Sequence, residues 1–122
     1  MEKVLGFGDH GSTFGGNPVS CAAALSILER LDDDLLAEVR AKGAWLKEAF
    51  EGAAGIQAVT GMGLMLGLKT VKPASQVVKQ CMEQGVLCLT AKDKLRLLPA
   101  LNIPWDTLKK AAGIISRVCG EE

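Results

Sequence analysis

Two hydroxyl side chains in a glycine-rich segment near the start of the chain have the best potential for chemistry. Ser12 and Thr13 lie within residues 6–17, a stretch that contains five glycines. Glycines allow backbone amides to approach a ligand closely, and a helix that begins just downstream adds partial positive charge at its N-terminus. The segment therefore suits an anion such as a phosphate, although a purely structural glycine turn is the alternative. It is neither a Walker A loop nor a dinucleotide fingerprint, because the required Gly-Lys-Ser/Thr and glycine spacings are missing.

Other polar residues have weaker claims to a site. His10, next to Asp9, could form an acid/base pair, but a lone histidine in a glycine turn is more often a structural hydrogen bonder. Lys72, Lys92 and Lys94 are interpreted as solvated surface groups, and the tryptophans at 45 and 105 as packing residues.

Apolar periodicity predicts the elements that must position these residues. The order is loop, two helices, strands, helix, hairpin, helix, with helices at 18–31, 32–52, 73–84 and 104–118 and strands at 56–60, 64–68, 86–90 and 95–98. Such an order predicts an α+β fold, a small and mainly antiparallel sheet with helices packed on one face, preceded by two helices. A soft boundary near Gly55 separates residues 1–54 from residues 55–122.

Composition narrows the possible functions. Fourteen basic and fourteen acidic residues give a net charge of zero, and 48% of the residues are hydrophobic, which argues against a nucleic-acid binder and against a disordered chain. The four cysteines have no metal-ligand spacing and stand in apolar surroundings, so we expect free thiols and no metal. Glycines and polar residues interrupt both long uncharged runs, and no signal peptide is recognisable. We therefore expect no membrane span and a cytoplasmic location.

Three motifs carry a resemblance to a known family. His10 begins the run HGSTFGGNP, followed by CAAAL; Gly61 begins GMGLMLG, and Lys94 begins KLRLLPALNI. In this order and spacing they resemble the signature segments of class III pyridoxal-phosphate aminotransferases, in particular the acetylornithine and ornithine aminotransferase group. The resemblance covers essentially the whole chain and implies the carboxyl-terminal part of a fold-type I enzyme.

The resemblance implies roles for individual residues. The threonine that matches Thr13 binds the phosphate of pyridoxal 5'-phosphate across the dimer interface, and Ser12 would add a hydroxyl or an amide. The arginine that matches Arg96 pairs with a substrate carboxylate, a task that suits the planar guanidinium fork. Without the resemblance, a surface arginine on an edge strand would be the simpler interpretation of Arg96. Ala100 and Pro104 depart from the family pattern, but neither position touches cofactor or substrate.

The family's Schiff-base lysine and the aspartate that pairs with the pyridine nitrogen are expected upstream of the Ser12-Thr13 motif. Only Lys3 precedes Thr13, and it lies too close to be that lysine. The chain is therefore expected to contain no catalytic residue and to be inactive alone.

The expected function of the intact homodimer is amino transfer between N-acetylornithine and 2-oxoglutarate in arginine biosynthesis. The alternatives are another class III aminotransferase, acting on ornithine, succinylornithine or 4-aminobutyrate, and a stand-alone, non-catalytic dimerisation module.

Overall fold

The structure is a computed structural model that describes residues 4, 6 and 8–121. These residues form four helices and four strands. The helices are α1 (Pro18–Leu28), α2 (Asp33–Phe50), α3 (Ala74–Glu83) and α4 (Trp105–Gly120); the strands are β1 (Ile56–Met62), β2 (Met65–Thr70), β3 (Leu89–Ala91) and β4 (Lys94–Leu97). The α+β fold class predicted from the sequence is confirmed.

The four strands form one open antiparallel sheet in the order β1-β2-β4-β3. Tight turns join β1 to β2 and β3 to β4, because Met62 pairs with Met65 and Ala91 pairs with Lys94. The connection from β2 to β4 passes through α3 and β3, so β4 lies at the centre of the sheet beside β2.

One hydrophobic core lies between the sheet and three of the helices. Leu66 and Leu68 of β2 and Leu95 and Leu97 of β4 are buried, and they alternate with residues on the opposite face, as the period of two in a strand requires. The buried helical residues are Leu46 and Phe50 of α2, Val77 and Cys81 of α3, and Leu108, Ala112, Ile115, Val118 and Cys119 of α4. On α3, the helical spacing of Val77, Val78, Cys81 and Met82 predicts that all four point inward. Val77 and Cys81 are buried and Val78 is half-buried, but Met82 is exposed.

The chain divides into two compact units, and the boundary between them comes earlier along the sequence than the one predicted near Gly55. One unit ends at Asp32 and the other begins at Asp33. The physical reason is that α2 buries Leu46 and Phe50 in the core beneath the sheet, so this helix belongs with the strands that follow it. In the first unit, α1 has no buried residue.

The strand at 86–90 is shorter than predicted because its first residues end the preceding helix. Val86 N–H donates to Cys81 C=O at 2.9 Å and Gly85 N–H donates to Met82 C=O at 3.0 Å. With Gly85 at φ +83°, this is the glycine-dependent closure of a helix C-terminus. The N–H of Val86 is therefore not available to a strand partner, and β3 begins only at Leu89.

Two lysines expected at the solvated surface are instead engaged in the fold. Lys72 Nζ donates to the carbonyl oxygen of Val118 at 2.8 Å, close to the end of α4, where a cation opposes the negative end of the helix dipole. Lys94 Nζ donates to Thr60 Oγ1 at 3.0 Å. The surface interpretation is wrong for these two residues, while Lys92 is exposed in the turn between β3 and β4.

The two tryptophans pack as predicted. The rings of Trp45 and Trp105 meet edge to face, with centroids 6.1 Å apart and planes at 82°, and they join α2 to α4. Beside them Lys42, which is only 2% exposed, pairs with Glu38 at 2.5 Å and places its ammonium 5.8 Å from the Trp105 ring. No helix within the described residues is long and apolar enough to cross a membrane.

Candidate functional site

The glycine-rich loop presents the hydroxyls of Ser12 and Thr13 at the surface. Both residues are exposed, and neither side chain forms a hydrogen bond with the part of the chain that the structure describes. A Cβ added at Gly15 would lie 3.0 Å from Cβ and 3.1 Å from Oγ of Ser12, so glycine at this position makes room for the serine side chain. Gly16 has φ +76°, a left-handed conformation that suits glycine. The loop thus presents two hydroxyls without hydrogen-bond partners among the described residues, and its conformation requires glycine at positions 15 and 16.

The N-terminus of α1 contributes less to anion binding than the sequence predicts, because the helix caps itself. Pro18 occupies the first turn and has no N–H. Asn17 Oδ1 accepts the Ser20 N–H at 3.0 Å, and Asn17 Nδ2 donates to Phe14 C=O and to Ser20 Oγ, each at 2.8 Å. Of the first three helical positions, only Val19 keeps an N–H without an intrahelical or capping partner. Anion binding in this unit therefore depends on the loop hydroxyls and loop amides.

Asp9 and His10 do not form the acid/base pair that their adjacency suggested. The Asp9 carboxylate accepts the Gly6 N–H at 2.6 Å, and Asp9 N–H donates to Gly6 C=O at 3.2 Å, which closes a turn. His10 is exposed. Asp9 therefore shapes the loop.

Arg96 lies on the sheet face opposite the core. Its neighbours along β4, Leu95 and Leu97, point into the core, so Arg96 points to the other face. In the ladder it stands directly opposite Gly67 on β2 and Leu89 on β3, which places a glycine with no side chain beside the guanidinium. A central strand with a partner on each side fixes the backbone from which this side chain extends.

The Arg96 guanidinium has unused hydrogen-bonding capacity. Its Nε is buried and has no hydrogen-bond partner, and the residue is half-buried overall. The ion pairs found among the described residues join Lys42 to Glu38 and Arg117 to Glu121, so Arg96 has no carboxylate partner there. An arginine held on a fixed strand without a counterion is suited to bind a carboxylate from outside this chain segment.

Lys94 is a neighbour of this site that the sequence indicated only as a surface group. It lies two residues before Arg96 on β4 and on the same face, and it is hydrogen bonded to Thr60 across β2. The period of two along a strand could have indicated that these two cations share a face. Contact with a hydroxyl on a strand 34 residues away could not be predicted from local pattern.

The thiols fall into two groups. Cys81, Cys88 and Cys119 are buried, whereas Cys21 is exposed. Burial raises the pKa of Cys88 to about 12 and that of Cys119 to about 11, and it raises the pKa of Cys81 as well. These three thiols stay protonated and act as small apolar groups. No group of three or more His, Cys, Asp or Glu residues among those described could hold a metal ion.

The candidate residues fall into both compact units. Ser12 and Thr13 belong to the unit that ends at Asp32, and Arg96 belongs to the unit that begins at Asp33. Each unit thus offers one kind of anion contact, with hydroxyls and amides in the first and a guanidinium in the second.

Comparison with known proteins defines the class to which this arrangement belongs. Residues 1–119 match the family model of class-III aminotransferases, so the chain belongs to that family. Among its curated relatives, the acetylornithine aminotransferase of Haemophilus ducreyi is 43% identical over 123 residues. That alignment covers 99% of this chain and 31% of the relative.

Solved structures share the fold. The acetylornithine aminotransferase of Elizabethkingia anophelis superposes with a TM-score of 0.76 at 28% identity. The superposition covers 96% of this chain and 32% of the Elizabethkingia chain. An ornithine aminotransferase of Toxoplasma gondii, whose structure shows partial occupancy of PLP at the active site, superposes with a TM-score of 0.79 at 28% identity. That superposition covers 97% of this chain and 30% of the Toxoplasma chain. The chain thus spans about 30% of the length of the proteins that it matches.

Proposed function

We propose that this chain is the carboxyl-terminal part of an acetylornithine aminotransferase. The intact homodimer would exchange an amino group between N-acetylornithine and 2-oxoglutarate in arginine biosynthesis, in the cytoplasm. The observation that carries the proposal is the match to the Haemophilus ducreyi enzyme over 99% of this chain at 43% identity. Of the two segments expected from the sequence, residues 1–54 would supply the cofactor-phosphate loop and the linking helices and residues 55–122 the small α+β domain, with α2 of the first segment packed into the core of the second.

The first unit fits the phosphate group of pyridoxal 5'-phosphate. Ser12 and Thr13 offer two exposed hydroxyls, and the missing side chain at Gly15 leaves the space into which Ser12 packs. Hydroxyl and amide donors on a glycine-rich backbone are a usual way to bind a phosphate. When bound, the cofactor supplies the electron sink for carbanion chemistry; the task of Ser12 and Thr13 is to hold its phosphate in place.

The second unit fits a substrate carboxylate. The Arg96 guanidinium extends from a central strand, lacks a carboxylate partner among the described residues and has an unpartnered Nε. A bidentate contact to the substrate would fix both the position and the orientation of the carboxylate. Within this chain, Arg96 would therefore bind and orient the substrate, and the covalent chemistry would depend on a lysine outside these residues.

A chimera provides the direct test of the proposed function. This chain would replace the matching 31% of the Haemophilus ducreyi enzyme, and the purified chimera would be assayed with N-acetylornithine and 2-oxoglutarate. We expect transamination that depends on both substrates. A folded chimera that retains PLP but transfers no amino group from N-acetylornithine would contradict the proposal.

Ornithine amino transfer is the second candidate, because the solved structures that share the fold include the ornithine aminotransferase of Toxoplasma gondii. The same chimera assay distinguishes the two candidates if it is repeated with ornithine as amino donor. Since donor choice also depends on residues outside this chain, a matched swap into an ornithine aminotransferase is the control. A preference that follows the host enzyme in both swaps would mean that this chain does not select the donor.

A further inference from the structure

Asn17 joins the glycine-rich loop to the first turn of α1 through both polar atoms of its side chain. Its Oδ1 accepts the Ser20 N–H at 3.0 Å, and its Nδ2 donates to Phe14 C=O and to Ser20 Oγ, each at 2.8 Å. Both hydrogens of the amide nitrogen are therefore used. Among residues 8–25, Asn17 alone is not exposed. This side chain is thus the best-held polar group in that part of the chain.

Asn17 also closes a tight turn just before the helix. Its backbone N–H donates to Phe14 C=O at 3.4 Å, and Gly16 within this turn has φ +76°. A turn of this class requires a residue with positive φ at its third position. The Phe14 carbonyl therefore receives two donors from one residue, which fixes its direction toward the start of α1.

The turn lies beside the two loop hydroxyls, which have no contacts of their own to direct them. The side chains of Ser12 and Thr13 are exposed and form no hydrogen bond with the described residues. Thr13 directly precedes Phe14 in the chain. Ser12 lies against the turn, because a Cβ added at Gly15 would be 3.0 Å from Ser12 Cβ. The directions of both hydroxyls therefore depend on the turn, as binding groups in general depend on the neighbours that fix their geometry.

Capping alone does not account for asparagine at position 17. Serine, aspartate and asparagine cap helices about equally well, because each supplies an oxygen that accepts an N–H of the first turn. Of the three, only asparagine has a separate nitrogen donor beside that oxygen. The contact to Phe14 C=O uses this nitrogen, so it is the contact that distinguishes asparagine from the other capping residues.

We propose that Asn17 is a positioning residue for the cofactor phosphate, which acts by holding Phe14 C=O and so sets the direction of the Ser12 and Thr13 hydroxyls. This role rests on the proposed function, in which those two hydroxyls bind the phosphate of pyridoxal 5'-phosphate. Asn17 contacts the turn and α1 and is assigned no contact to the cofactor. Its removal should therefore weaken cofactor binding only while the hydroxyls are present.

Asn17→Ser in the chimera tests this role. Serine keeps an oxygen for the Ser20 N–H but loses the nitrogen that binds Phe14 C=O. We expect the dissociation constant for pyridoxal 5'-phosphate, measured by absorbance titration of the cofactor-free chimera, to rise about tenfold, as for the loss of about one hydrogen bond. The Tm of the cofactor-free chimera should stay unchanged, because α1 keeps its cap.

Ser20→Ala is the matched control. It removes the Oγ that accepts one hydrogen of Asn17 Nδ2 but keeps the Ser20 N–H and the contact of Asn17 to Phe14 C=O. Water replaces an exposed hydroxyl at little cost, so this variant should bind the cofactor within about twofold of the wild type. An equal loss of affinity in Ser20→Ala and Asn17→Ser would reduce the effect to the general order of the helix start and overturn the role of Asn17.

A background without the two hydroxyls shows whether Asn17 acts through them. In the double variant Ser12→Ala, Thr13→Ala, the further change Asn17→Ser should alter the dissociation constant by less than about twofold, because two residues that act together are not additive. The same loss in both backgrounds, or no loss when both hydroxyls are present, would overturn the role of Asn17.

The double variant also separates this role from the proposed function. If removal of both hydroxyls weakens cofactor binding while Asn17→Ser leaves it unchanged, the hydroxyls bind the phosphate and only the role of Asn17 is overturned. If removal of both hydroxyls leaves cofactor binding unchanged, the loop does not bind the phosphate, and both roles are overturned.

Discussion

At the residue scale, the proposed contact between the Thr13 hydroxyl and the cofactor phosphate predicts a measurable effect on cofactor retention. A hydrogen bond to a charged group is worth about 1.5–3 kcal/mol, so Thr13→Ala in the chimera should weaken retention of pyridoxal 5'-phosphate by about 10- to 100-fold. Because Thr13 is exposed and lies in a loop, its removal should leave the free energy of unfolding nearly unchanged. Cofactor retention is measured by absorbance after dialysis.

Thr13→Ser is the control for that substitution, since it keeps the hydroxyl and removes only a methyl group. It should retain the cofactor nearly as well as the wild type. If the alanine variant holds pyridoxal 5'-phosphate as tightly as the serine variant, Thr13 does not bind the phosphate.

The buried thiols predict a pH dependence of stability. The pKa of Cys88 is about 12 in the folded state and that of Cys119 about 11, both raised from 9.0 by burial. Below pH 9 these thiols are protonated in both states; above it the unfolded chain ionises first, so their stabilising contribution is lost between pH 9 and about 12. The free energy of unfolding should therefore fall between pH 8.5 and 10.5, as measured by urea titration.

Cys88→Ala should reduce that pH slope, because one thiol no longer ionises on unfolding. Cys21→Ala is the matched control, since Cys21 is exposed and its removal should leave the slope unchanged. Equal slopes in wild type and Cys88→Ala would mean that burial of the Cys88 thiol does not couple to folding.

Sequence predicts the identity of the site residues better than their surroundings. Ser12, Thr13 and Arg96 stand out through their residue types and through the family resemblance. The self-capping of α1 by Asn17, which takes the Ser20 N–H, shows that a signal for a helix start need not leave free amides for a ligand. The contact of Lys94 with Thr60 depends on strand pairing, which local pattern does not specify.

At the element scale, α2 approaches the turn between β1 and β2 so closely that Gly43 cannot carry a side chain. A Cβ there would collide with the carbonyl oxygen of Gly63. Although alanine favours a helix by about 1 kcal/mol over glycine, overpacking costs about 1–3 kcal/mol. We expect Gly43→Ala to lower the free energy of unfolding by up to about 2 kcal/mol in a urea titration, the difference between these two terms.

Gly113→Ala is the matched control, because Gly113 lies in α4 with nothing within 4 Å of an added Cβ. This variant should gain about 0.5–1 kcal/mol of stability from helix propensity alone. If Gly43→Ala is stabilised to the same extent, α2 does not pack against the turn as described.

The helices and the strands β1 and β2 were predictable because their apolar periods and caps are local, but the sequence did not specify that β1 and β2 pair as a hairpin. Asn17 before Pro18 marks the start of α1, and Gly85 marks the end of α3. The start of β3 was not predictable, because Val86 closes the preceding helix through Cys81. In the same way, the assignment of α2 to the second unit depends on the burial of Phe50, which is a tertiary effect.

At the scale of the whole molecule, the first unit exposes apolar surface. In α1 the side chains of Val19, Leu25, Ile27 and Leu28 are 80%, 61%, 55% and 62% exposed. Exposed apolar surface of this kind marks a site of protein contact, and the chain spans only about 30% of the length of its relatives. The proposed function offers a physical reason, since the loop before α1 would meet its phosphate where this unit contacts the rest of an aminotransferase dimer.

The most direct test of whether this chain provides a substrate site is a comparison of two Michaelis constants for 2-oxoglutarate. One is measured on the chimera and the other on its Arg96→Lys variant. Lysine keeps the positive charge but loses the bidentate fork, and loss of a charged hydrogen bond worth about 1.5–3 kcal/mol corresponds to about 10- to 100-fold in kcat/KM. We expect this loss to appear mainly as a raised KM, with PLP retention unchanged. An unaltered KM and kcat in a folded, PLP-bound chimera would remove Arg96 from the site and contradict the proposed function of this unit.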